Sequence, residues 1–443
     1  MSESTQSVTV EKTEVGSYFV ANYPPFSTWT TDHVQTDALP ALNGIPTDTP
    51  LGLYLHIPFC RKRCHFCYFR VYTNKNAREV QEYLDVLGRE WELYAEQPAL
   101  VGRPLNFVYF GGGTPSFLSV RQLQSLVKRL NAVTPWSAAE EVTFECEPGT
   151  LTEPKLAAIR DLGVTRLSLG IENFDDEILA LNGRAHRSAE IFRSYAFARS
   201  INFPQINIDL IAGMLGETDD NWRRCITKTL ELEPDSITIY QMELPFNTTI
   251  SADVLEGGGQ FKENVATWST KQRWVEEAFN QLERAGYSIG SAYTAVKDPT
   301  TTKFIYRDRL WQGADLAGLG VASFGHINGV HMQNLDSWGP YASAIRTGQI
   351  PLHRAYRPTS EERLIRELVL QLKLGSIRPS YFQKKYDVDI RSQFSEAFSA
   401  LKGDGYVGTA EGDRISLTRA GLLRVDSLLP RFFLPEHIDV RYT

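Results

Sequence analysis

The hydrophobic pattern of this chain becomes regular at residue 51. Apolar, β-type runs recur at 51–58, 106–113, 141–148, 166–173, 206–213 and 236–243. Segments with helical spacing lie between them, such as "AREVQEYLDVLGREWELYAE" and "VRQLQSLVKRLNAV". Strands that alternate with helices predict βα units and a parallel sheet. The runs are apolar through most of their length, which is typical of strands that are covered on both faces.

Six such repeats predict an α/β fold built on a partial (β/α)6 barrel. Barrels of this kind carry their chemistry at the C-terminal ends of the strands. Here the predicted strands end in polar or glycine residues, namely the cysteines behind the first run, Gly111–Gly113, Glu145, Glu147, Glu172, Asp209 and Glu243. We therefore expect the functional site at this edge of the sheet.

The chain divides into four predicted parts. Residues 1–50 are rich in aromatics, proline and threonine, and predict an N-terminal arm packed on a barrel of residues 51–290. Residues 291–357 combine β-type runs with closely spaced glycines and predict an extension of the barrel. Residues 358–443 predict a small C-terminal domain, helical and winged-helix-like. We expect this domain to cover the barrel, because no excess of positive charge marks a DNA-recognition helix.

Composition and charge narrow the class of protein. The chain has 46 Lys and Arg against 53 Asp and Glu, a net charge of −7, which argues against nucleic-acid binding. The polar start "MSESTQSVTVEKTEVG" has no signal-peptide core, and the run "INIDLIAGMLG" is short and contains Asp209. We therefore expect no membrane span. Five cysteines in a chain of this length indicate a reducing compartment, so we expect a cytoplasmic protein.

Three of the five cysteines are crowded into "YLHIPFCRKRCHFCYF". Cys60, Cys64 and Cys67 have the spacing C-x3-C-x2-C. A structural zinc site usually has four ligands, so zinc would need His65 or Cys146 as well. Three buried thiols without a ligand role are a second alternative, although this spacing fits no single face of a strand or helix. We favour a [4Fe–4S] cluster on three thiolates, which leaves one iron open to a non-protein ligand.

These motifs together resemble a known group of enzymes. The cysteine spacing after the first strand and "GGGTP" after the second are similar to the radical S-adenosylmethionine (SAM) enzymes. More closely, "YLHIPFC", "FGGGTP", "RLSLGIENF", "NIDLIAGM" and "GLGVASFG" resemble the oxygen-independent coproporphyrinogen III oxidase family, over residues 51 to about 435. The resemblance implies that the cluster cleaves SAM reductively. The resulting 5′-deoxyadenosyl radical would then take hydrogen from an organic substrate.

The resemblance also implies which residues contact SAM. The cluster-bound SAM would contact Tyr54, Gly111, Gly112, Gly113, Thr114 and Glu145. The family's decarboxylase binds a second SAM, and the matching positions are Phe66, Glu172, Arg184 and Asp209. The glycines would leave bare backbone for the ammonium group of the ligand. Glu172 departs from the family's glutamine, and a carboxylate cannot donate a hydrogen bond as an amide does.

Glu145, Glu172 and His326 are the candidates for acid–base chemistry. His326 and His331 lie in "GHINGVHMQN", which we expect near the barrel mouth. An imidazole titrates near neutrality and can relay a proton there, and a structural role is the alternative.

Basic residues flank the three cysteines, namely Arg61, Lys62, Arg63 and Arg70. They form either a solvated loop or a docking surface for an anionic substrate or an acidic electron donor. For the donor we expect a flavodoxin- or ferredoxin-like protein, and for the chain itself a monomer.

Three departures from the family bear on the substrate. The decarboxylase has a fourth cysteine where Phe69 stands. Haem-chaperone relatives carry an H-N-x-x-Y-W motif, and the matching stretch "YRDRLWQGADL" lacks the His-Asn pair. The N-terminal "NYPPFS" matches the decarboxylase's arm only loosely.

We therefore predict a radical SAM enzyme. The first choice of reaction is the oxidative decarboxylation of coproporphyrinogen III in porphyrin biosynthesis, with a tetrapyrrole as substrate. The alternative is methyl transfer or cyclopropanation by a class C enzyme that uses two SAM molecules on another large substrate. A haem chaperone is the second alternative.

Overall fold

The computed structural model describes residues 13–17, 19–256, 261, 264–410, 412–438 and 440. Residues 1–12 of the predicted N-terminal arm and residues 441–443 of the predicted C-terminal domain lie outside the described residues.

The strands of the described residues form two sheets. A large sheet contains β1–β12, and a small one contains β13–β15. Their bounds are β1 (Leu51–Ile57), β2 (Leu105–Gly112), β3 (Glu141–Cys146), β4 (Arg166–Glu172), β5 (Gln205–Ala212), β6 (Ser236–Gln241), β7 (Ser288–Ile289), β8 (Thr294–Val296), β9 (Asp315–Leu319), β10 (Phe324–Ile327), β11 (Val330–Asn334), β12 (Leu352–Tyr356), β13 (Ser376–Ile377), β14 (Val407–Thr409) and β15 (Ile415–Leu417).

The α-helices alternate with the strands as far as β6 and dominate the C-terminal part. Their bounds are α1 (Leu39–Leu42), α2 (Ala77–Ala95), α3 (Val120–Val133), α4 (Glu153–Asp161), α5 (Asp176–Leu181), α6 (Ser188–Ser200), α7 (Asp219–Leu232), α8 (Thr249–Leu255), α9 (Trp268–Arg284), α10 (Ile305–Trp311), α11 (Trp338–Arg346), α12 (Ser360–Leu372), α13 (Pro379–Tyr386), α14 (Ile390–Gln393), α15 (Ser395–Gly403), α16 (Arg419–Leu423) and α17 (Val425–Leu428). Within the described ranges, no helix has the length and apolar character that crossing a membrane requires.

Seven parallel strands form the centre of the large sheet, in the order β9-β1-β2-β3-β4-β5-β6. Antiparallel strands extend both edges, with β10, β11 and β12 beyond β9 and with β8 and β7 beyond β6. All six apolar runs read from the sequence are neighbouring parallel strands in chain order. The predicted partial (β/α)6 barrel is therefore confirmed.

The local sequence determines where the first crossover helices begin. The Asn76 side chain accepts hydrogen bonds from the amides of Arg78 and Glu79, and the Glu79 carboxylate accepts one from the Asn76 amide. Ser119 and Gln122 form the same reciprocal arrangement before α3. Each of these capping boxes satisfies amides that the first helical turn leaves without a partner. The caps thereby fix the length of the loops that leave β1 and β2.

Helix α10 closes the N-terminal end of the barrel. The carboxylate of Glu141, the first residue of β3, accepts hydrogen bonds from the amides of Ile305 (2.9 Å) and Tyr306 (3.2 Å). The ring of Tyr306 lies 4.2 Å from that of Tyr109 inside the barrel, measured between centroids. The stretch "YRDRLWQGADL", in which the chaperone-type His-Asn pair is missing, therefore forms the floor of the barrel.

The C-terminal part has its own hydrophobic core, and the N-terminal segment packs into it. Strands β13, β15 and β14 form a small antiparallel sheet. Val20 and Tyr23 are buried among the apolar residues of α12 and α17. Further along, Thr30 pairs with Ala355 of β12. The N-terminal segment thus contacts both the barrel sheet and the C-terminal part, and the domain boundaries at 50, 290 and 357 stay predictions.

A buried carboxylate on α2 joins several elements on the β9 side of the barrel. Glu90 accepts hydrogen bonds from the Gly320 amide (2.8 Å), the Asn334 side-chain amide (2.6 Å) and the Tyr341 hydroxyl (2.5 Å). These partners belong to the loop after β9, to β11 and to α11. Burial raises the pKa of Glu90 to about 7, although the three donors act in the opposite direction.

We expect Glu90→Ala to lower the free energy of unfolding by about 2–4 kcal/mol, because it leaves three buried donors without their acceptor. Glu96→Ala is the matched control, since that side chain lies at the end of the same helix and is 68% exposed. Urea denaturation of both variants measures the difference. Equal stabilities, within about 0.5 kcal/mol, would contradict the role given to Glu90.

Candidate active site

A cavity of about 380 Å³ lies at the C-terminal ends of β2–β6. The structure brings most of the residues predicted from the sequence to its walls. They are Cys60, Cys64, Phe66, Cys67, Gly112, Gly113, Thr114, Glu145, Glu172, Arg184 and Asp209. The carboxyl ends of parallel strands meet at one edge of a sheet, which explains how residues so far apart in the chain converge.

Backbone hydrogen bonds hold the cysteine loop above this cavity. The Cys60 amide donates to the Tyr72 carbonyl (3.1 Å), and the Tyr72 amide donates to the Pro58 carbonyl (2.6 Å). Within the loop, the Cys67 amide donates to the Cys64 carbonyl (3.1 Å). All three thiols are free of disulfides. One short loop with fixed ends therefore presents the three sulfur atoms.

Two side chains donate hydrogen bonds to these sulfur atoms. The Thr114 hydroxyl lies 3.3 Å from Cys60 Sγ, and Arg184 Nη1 lies 3.3 Å from Cys64 Sγ. Burial raises the pKa of Cys60 to about 12 and that of Cys67 to about 11. A thiol in such surroundings ionises when a metal centre compensates the charge of the thiolate. The three cysteines thus have the chemistry of metal ligands.

The donor set fits an iron–sulfur cluster better than a single zinc ion. Among the residues that the structure describes, no three His, Cys, Asp or Glu side chains converge on one ion-sized position. His65 Nδ1 lies 2.9 Å from the Leu181 carbonyl oxygen, and Cys146 Sγ lies 3.9 Å from the Phe144 carbonyl oxygen. Among the described residues, therefore, no fourth His, Cys, Asp or Glu ligand accompanies the three thiols as a zinc site would require. Three thiolates on one loop suit a larger [4Fe–4S] centre.

The glycine run at the end of β2 is packed against protein atoms. A Cβ on Gly113 would lie 2.8 Å from the Ile57 carbonyl oxygen, and one on Gly112 would lie 2.4 Å from Nδ1 of His56. Gly112 also has a φ of +108°, which favours glycine. The missing side chains thus allow β2 to approach β1 and the cysteine loop. Their predicted use as bare backbone for the ligand stays a prediction.

Glu145 of β3 lies in the middle of the cavity wall. The Tyr109 hydroxyl donates to one of its oxygens at 2.6 Å, and the Gly112 amide donates to the other at 3.2 Å. Burial raises the pKa of Glu145 to about 7, and the charge of Asp209 acts in the same direction. Each carboxylate oxygen can accept a further hydrogen bond, so Glu145 is able to bind a hydroxyl or an ammonium group.

A bulge in β4 sets the positions of Glu172 and Arg184. The register with β5 shifts between Gly170 and Glu172, and Glu172 has a φ of +67°, uncommon for a residue with a side chain. Arg184 Nη2 donates to the Gly170 carbonyl (2.5 Å) and lies 3.6 Å from Glu172 Oε1. The two side chains are only 11% and 12% exposed. The irregular strand therefore turns a carboxylate toward the arginine that contacts Cys64.

Asp209 and Arg166 form the inner end of the cavity. Asp209 accepts hydrogen bonds from the Ser168 hydroxyl (2.8 Å) and the Asn207 side-chain amide (2.9 Å). Burial raises the pKa of Asp209, and the nearby guanidinium of Arg166 acts in the opposite direction. The buried guanidinium of Arg166 lies 4.0 Å from the centroid of the Phe304 ring.

Sequence reasoning missed Arg166, Tyr109 and Phe304 as cavity residues. Arg166 shares the inward face of β4 with Ser168 and Gly170 by the two-residue period of a strand, and Tyr109 stands two residues before the predicted contact Gly111 in β2. That alternation was a usable signal for both. Phe304 lies before α10, far along the chain from the strands it contacts, and has no such local signal.

Glu147 fixes the other side of the cysteine loop. Its carboxylate accepts two hydrogen bonds from Arg61 (3.1 and 3.0 Å) and lies 3.0 Å from His186 Nδ1. Burial alone would raise the pKa of Glu147, but the bonds from His186 and Arg61 outweigh it and lower the pKa to about 2. Arg70 pairs with Asp336 at 3.0 Å on the surface. Two of the four basic residues around the cysteines thus have acidic partners within the chain.

Three predicted site residues are not among the described residues that line the cavity, namely Tyr54, Gly111 and His326. The ring of Tyr54 stacks on that of Tyr109 at 5.9 Å and therefore lies one layer behind the wall. His326 lies on β10, with Nδ1 2.9 Å from Nδ1 of His331. Burial lowers the pKa of both histidines well below its ordinary value. The expected position of this pair at the barrel mouth is not observed, because β10 and β11 extend the sheet sideways beyond β9.

Aromatic side chains form much of the rim of the cavity. Phe66, Tyr68, Phe69 and Tyr240 all line it. Phe69, at the position of the family's fourth cysteine, is 43% exposed and stacks on Tyr68 at 4.6 Å. Partly exposed aromatic rings at a cavity entrance suit a large, flat ligand with apolar faces.

Comparisons with known proteins agree with this site. A sequence model of the radical SAM superfamily matches residues 54–228. The chain is 28% identical to the heme chaperone HemW of Bacillus subtilis, over 84% of this chain and 96% of that relative. It is 26% identical to the oxygen-independent coproporphyrinogen III oxidase of a Synechocystis species, over 93% of this chain and 91% of that relative.

A solved structure shows the same fold over almost the whole chain. Coproporphyrinogen III oxidase (HemN) from Escherichia coli, described as a radical SAM enzyme, superposes with a TM-score of 0.81 at 25% identity. The match covers 93% of this chain and 96% of that one. The chain is therefore a radical SAM enzyme that is similar, over most of its length, to the oxygen-independent coproporphyrinogen III oxidases and to HemW.

Proposed function

We propose that this enzyme catalyses the oxygen-independent oxidative decarboxylation of a coproporphyrinogen-type tetrapyrrole. The observation that carries the proposal is the extent of the similarity to proteins named for this reaction, which covers 93% of the chain in sequence and in structure. A match to residues 54–228 alone would support SAM chemistry only. The similarity also includes the N-terminal segment and the C-terminal part, and this supports a substrate related to that of the decarboxylases.

The radical SAM family implies a [4Fe–4S] cluster and SAM. Cys60, Cys64 and Cys67 would hold the cluster, and the cluster with SAM supplies the 5′-deoxyadenosyl radical that takes hydrogen from the substrate. The contribution of the protein is to bind, to orient and to exclude water.

Glu145 is the residue that we assign to orienting the cluster-bound SAM, as an acceptor for its ribose hydroxyls or its ammonium group. The Tyr109 hydroxyl fixes the rotation of the Glu145 carboxylate, and Tyr54 supports the Tyr109 ring from behind. Gly112 contributes a backbone amide to the same carboxylate. Tyr54 thus acts as a positioning residue in this proposal.

We include a second SAM molecule in the proposal because three interacting carboxylates, those of Glu145, Glu172 and Asp209, line the cavity. Burial raises the pKa of Glu172 to about 7, Arg184 acts in the opposite direction, and the charges of Asp209 and Glu145 raise it further. SAM carries a sulfonium and an ammonium group. Two such ligands would bring further positive charge close to Glu145, Glu172 and Asp209.

The entrance of the cavity supports an anionic, ring-shaped substrate. Phe66 and Phe69 offer aromatic surface, and Lys62 and Arg63 are exposed beside them. Arg63 donates to the carbonyls of Cys67 (3.1 Å) and Asn247 (3.2 Å), so these bonds leave its charge uncompensated. A tetrapyrrole with carboxylate side chains matches both the aromatic and the basic part of this rim.

The same basic residues support docking of the electron donor. Lys62 and Arg63 lie on the loop that carries the three cysteines, and both are exposed. An acidic flavodoxin- or ferredoxin-like protein would be attracted to this face and brought close to the cluster. The donor and the monomeric state are part of the proposal.

Methyl transfer with two SAM molecules is the second candidate, and two residues favour it. Phe69 occupies the position of the decarboxylase's fourth cysteine, and Glu172 occupies that of its glutamine. Both side chains line the cavity and would face the substrate or the second SAM. The haem-chaperone alternative has less support. The stretch "YRDRLWQGADL", which matches the chaperone's motif and forms the floor of the barrel, lacks the His-Asn pair of that motif.

Product analysis separates these functions. We expect anaerobic, reduced protein with SAM and coproporphyrinogen III to release 5′-deoxyadenosine and a tetrapyrrole that has lost two carboxyl groups, both detected by mass spectrometry. The reason is that the similarity covers 91% and 96% of the two chains named for this reaction, and not the SAM-binding part alone.

Two other outcomes would contradict the decarboxylase proposal. S-adenosylhomocysteine together with a methylated substrate would establish the second candidate instead. Tight haem binding without release of 5′-deoxyadenosine would establish the chaperone. Arg193→Gln is the control variant and should give the same products as the parent protein. Arg193 is exposed on α6, is remote from the cysteine loop in sequence and does not line the cavity.

A further inference from the structure

Each of the three cluster-binding cysteines receives a hydrogen bond, and each donor is of a different kind. The Thr114 hydroxyl donates to Cys60, the Arg184 guanidinium donates to Cys64, and the backbone amide of Phe69 donates to Cys67. Only the donor to Cys64 carries a full charge. Hydrogen bonds to sulfur and nearby charges are the main means by which a protein sets the reduction potential of an iron–sulfur cluster.

Arg184 is held in place by contacts on both sides of its guanidinium group. Nη2 donates to the Gly170 carbonyl at 2.5 Å, and Nη1 donates to Cys64 Sγ at 3.3 Å. Nε is buried and has no hydrogen-bond partner among the described residues. The guanidinium group therefore cannot turn away from the sulfur without losing the Gly170 bond as well.

Glu172 is the acidic residue that accompanies this arginine. Its Oε1 lies 3.6 Å from Arg184 Nη2, and the bulge in β4 with the positive φ of Glu172 directs the carboxylate there. Both side chains are nearly buried, so solvent and salt screen their charges little. The carboxylate thus offsets part of the positive charge that Arg184 brings to Cys64.

We infer that Arg184 and Glu172 form a charge pair that sets the reduction potential of the cluster. Arg184 raises the potential through its bond to the Cys64 sulfur, and Glu172 lowers it by offsetting the charge of Arg184. This inference rests on the cluster of the proposed function, and it gives both residues a role beyond contact with SAM.

The direction of each effect follows from charge alone. Reduction adds one electron, and hence one negative charge, to the cluster and its thiolates. A cation that touches a ligand sulfur stabilises the reduced form, and an anion nearby destabilises it. The two residues should therefore act in opposite directions when their charges are removed one at a time.

The test is a redox titration, followed by electron paramagnetic resonance, of the anaerobically reconstituted full-length chain without SAM. We expect Glu172→Gln to raise the midpoint potential, increasing the ratio of reduced to oxidised cluster at a fixed potential about tenfold, or 59 mV for one electron. Arg184→Gln should lower the potential by a similar amount. Arg193→Gln removes the same charge from an exposed site on α6 and should leave the potential unchanged.

Shifts in the same direction for Glu172→Gln and Arg184→Gln, or shifts no larger than that of Arg193→Gln, would overturn the inference. If Arg184→Gln assembles no cluster, Glu172→Gln decides alone, because it keeps the shape of the side chain and removes only its charge. An intact cluster with unshifted potentials refutes this inference only. A parent protein that shows no [4Fe–4S] signal refutes the proposed function itself.

Discussion

Replacement of Cys64 by alanine is expected to reduce the formation of 5′-deoxyadenosine from SAM to below detection. In the proposed function the three thiolates are the protein's ligands to the cluster, so the variant would leave two irons without a protein ligand and lose the cluster. Cys64 is also the cysteine that Arg184 contacts, and its removal leaves a buried guanidinium without one of its acceptors. Mass spectrometry of the nucleoside product, with iron and sulfide counted per chain, measures the effect.

Cys225→Ala is the matched control for this prediction. Cys225 is a buried thiol on α7, packed in the main hydrophobic core, and it does not line the cavity. We expect that variant to form 5′-deoxyadenosine at the parent rate. Product formation by Cys64→Ala at the rate of this control would show that the three-cysteine loop is not the site of the chemistry.

The second large effect is expected for Gly112→Ala, at the junction of β2 and the cysteine loop. The added Cβ would lie 2.4 Å from Nδ1 of His56, and Gly112 has a φ of +108°. His56 has little room to move, because it is buried and its Nε2 lies 3.2 Å from the Arg70 carbonyl oxygen. We expect a loss of about 2–5 kcal/mol in the free energy of unfolding, from backbone strain and overpacking together.

Gly163→Ala separates these two causes. Gly163 has a φ of +86°, and a Cβ there would have nothing within 4 Å. It should therefore lose only the backbone part, about 1 kcal/mol. Chemical denaturation of both variants gives the comparison. If Gly112→Ala were no less stable than Gly163→Ala, the close contact between β2 and β1 would not be what requires glycine here.

The sheet could be predicted from the sequence because its central strands have a strong local signal. Runs such as 51–58 and 206–213 are short, apolar and bounded by polar or glycine residues. Their number and spacing leave few arrangements other than parallel βα units. The position of the cysteines behind the first strand then places the site at the C-terminal edge of the sheet.

The histidine pair shows what this reasoning does not provide. His326 and His331 follow a glycine-rich run that continues the apolar pattern of the barrel, and from the sequence they are expected at its mouth. Their strands run antiparallel beyond β9, and the His331 ring stacks on Trp29 at 5.1 Å. The direction of a strand that follows a short turn depends on which strands, distant in the chain, it pairs with. The spacing of hydrophobic residues along the sequence does not reveal those partners.

The contacts around Cys64 also could not be predicted from the sequence. Arg184 and Glu172 were predicted as ligand contacts from the resemblance, but their pairing with each other and with the sulfur depends on a bulge in β4. A bulge of this kind, at a residue with a side chain and a positive φ, is fixed by tertiary packing. No local propensity predicts it.

The central claim is that three thiolates leave one iron of a [4Fe–4S] cluster open to SAM. Mössbauer spectroscopy of the ⁵⁷Fe-reconstituted, oxygen-free protein, recorded before and after addition of SAM, tests it most directly. We predict a cubane in which one iron site differs from the other three and changes its isomer shift when SAM is added. A spectrum that SAM leaves unchanged, or a protein that retains zinc in place of iron, would contradict the claim.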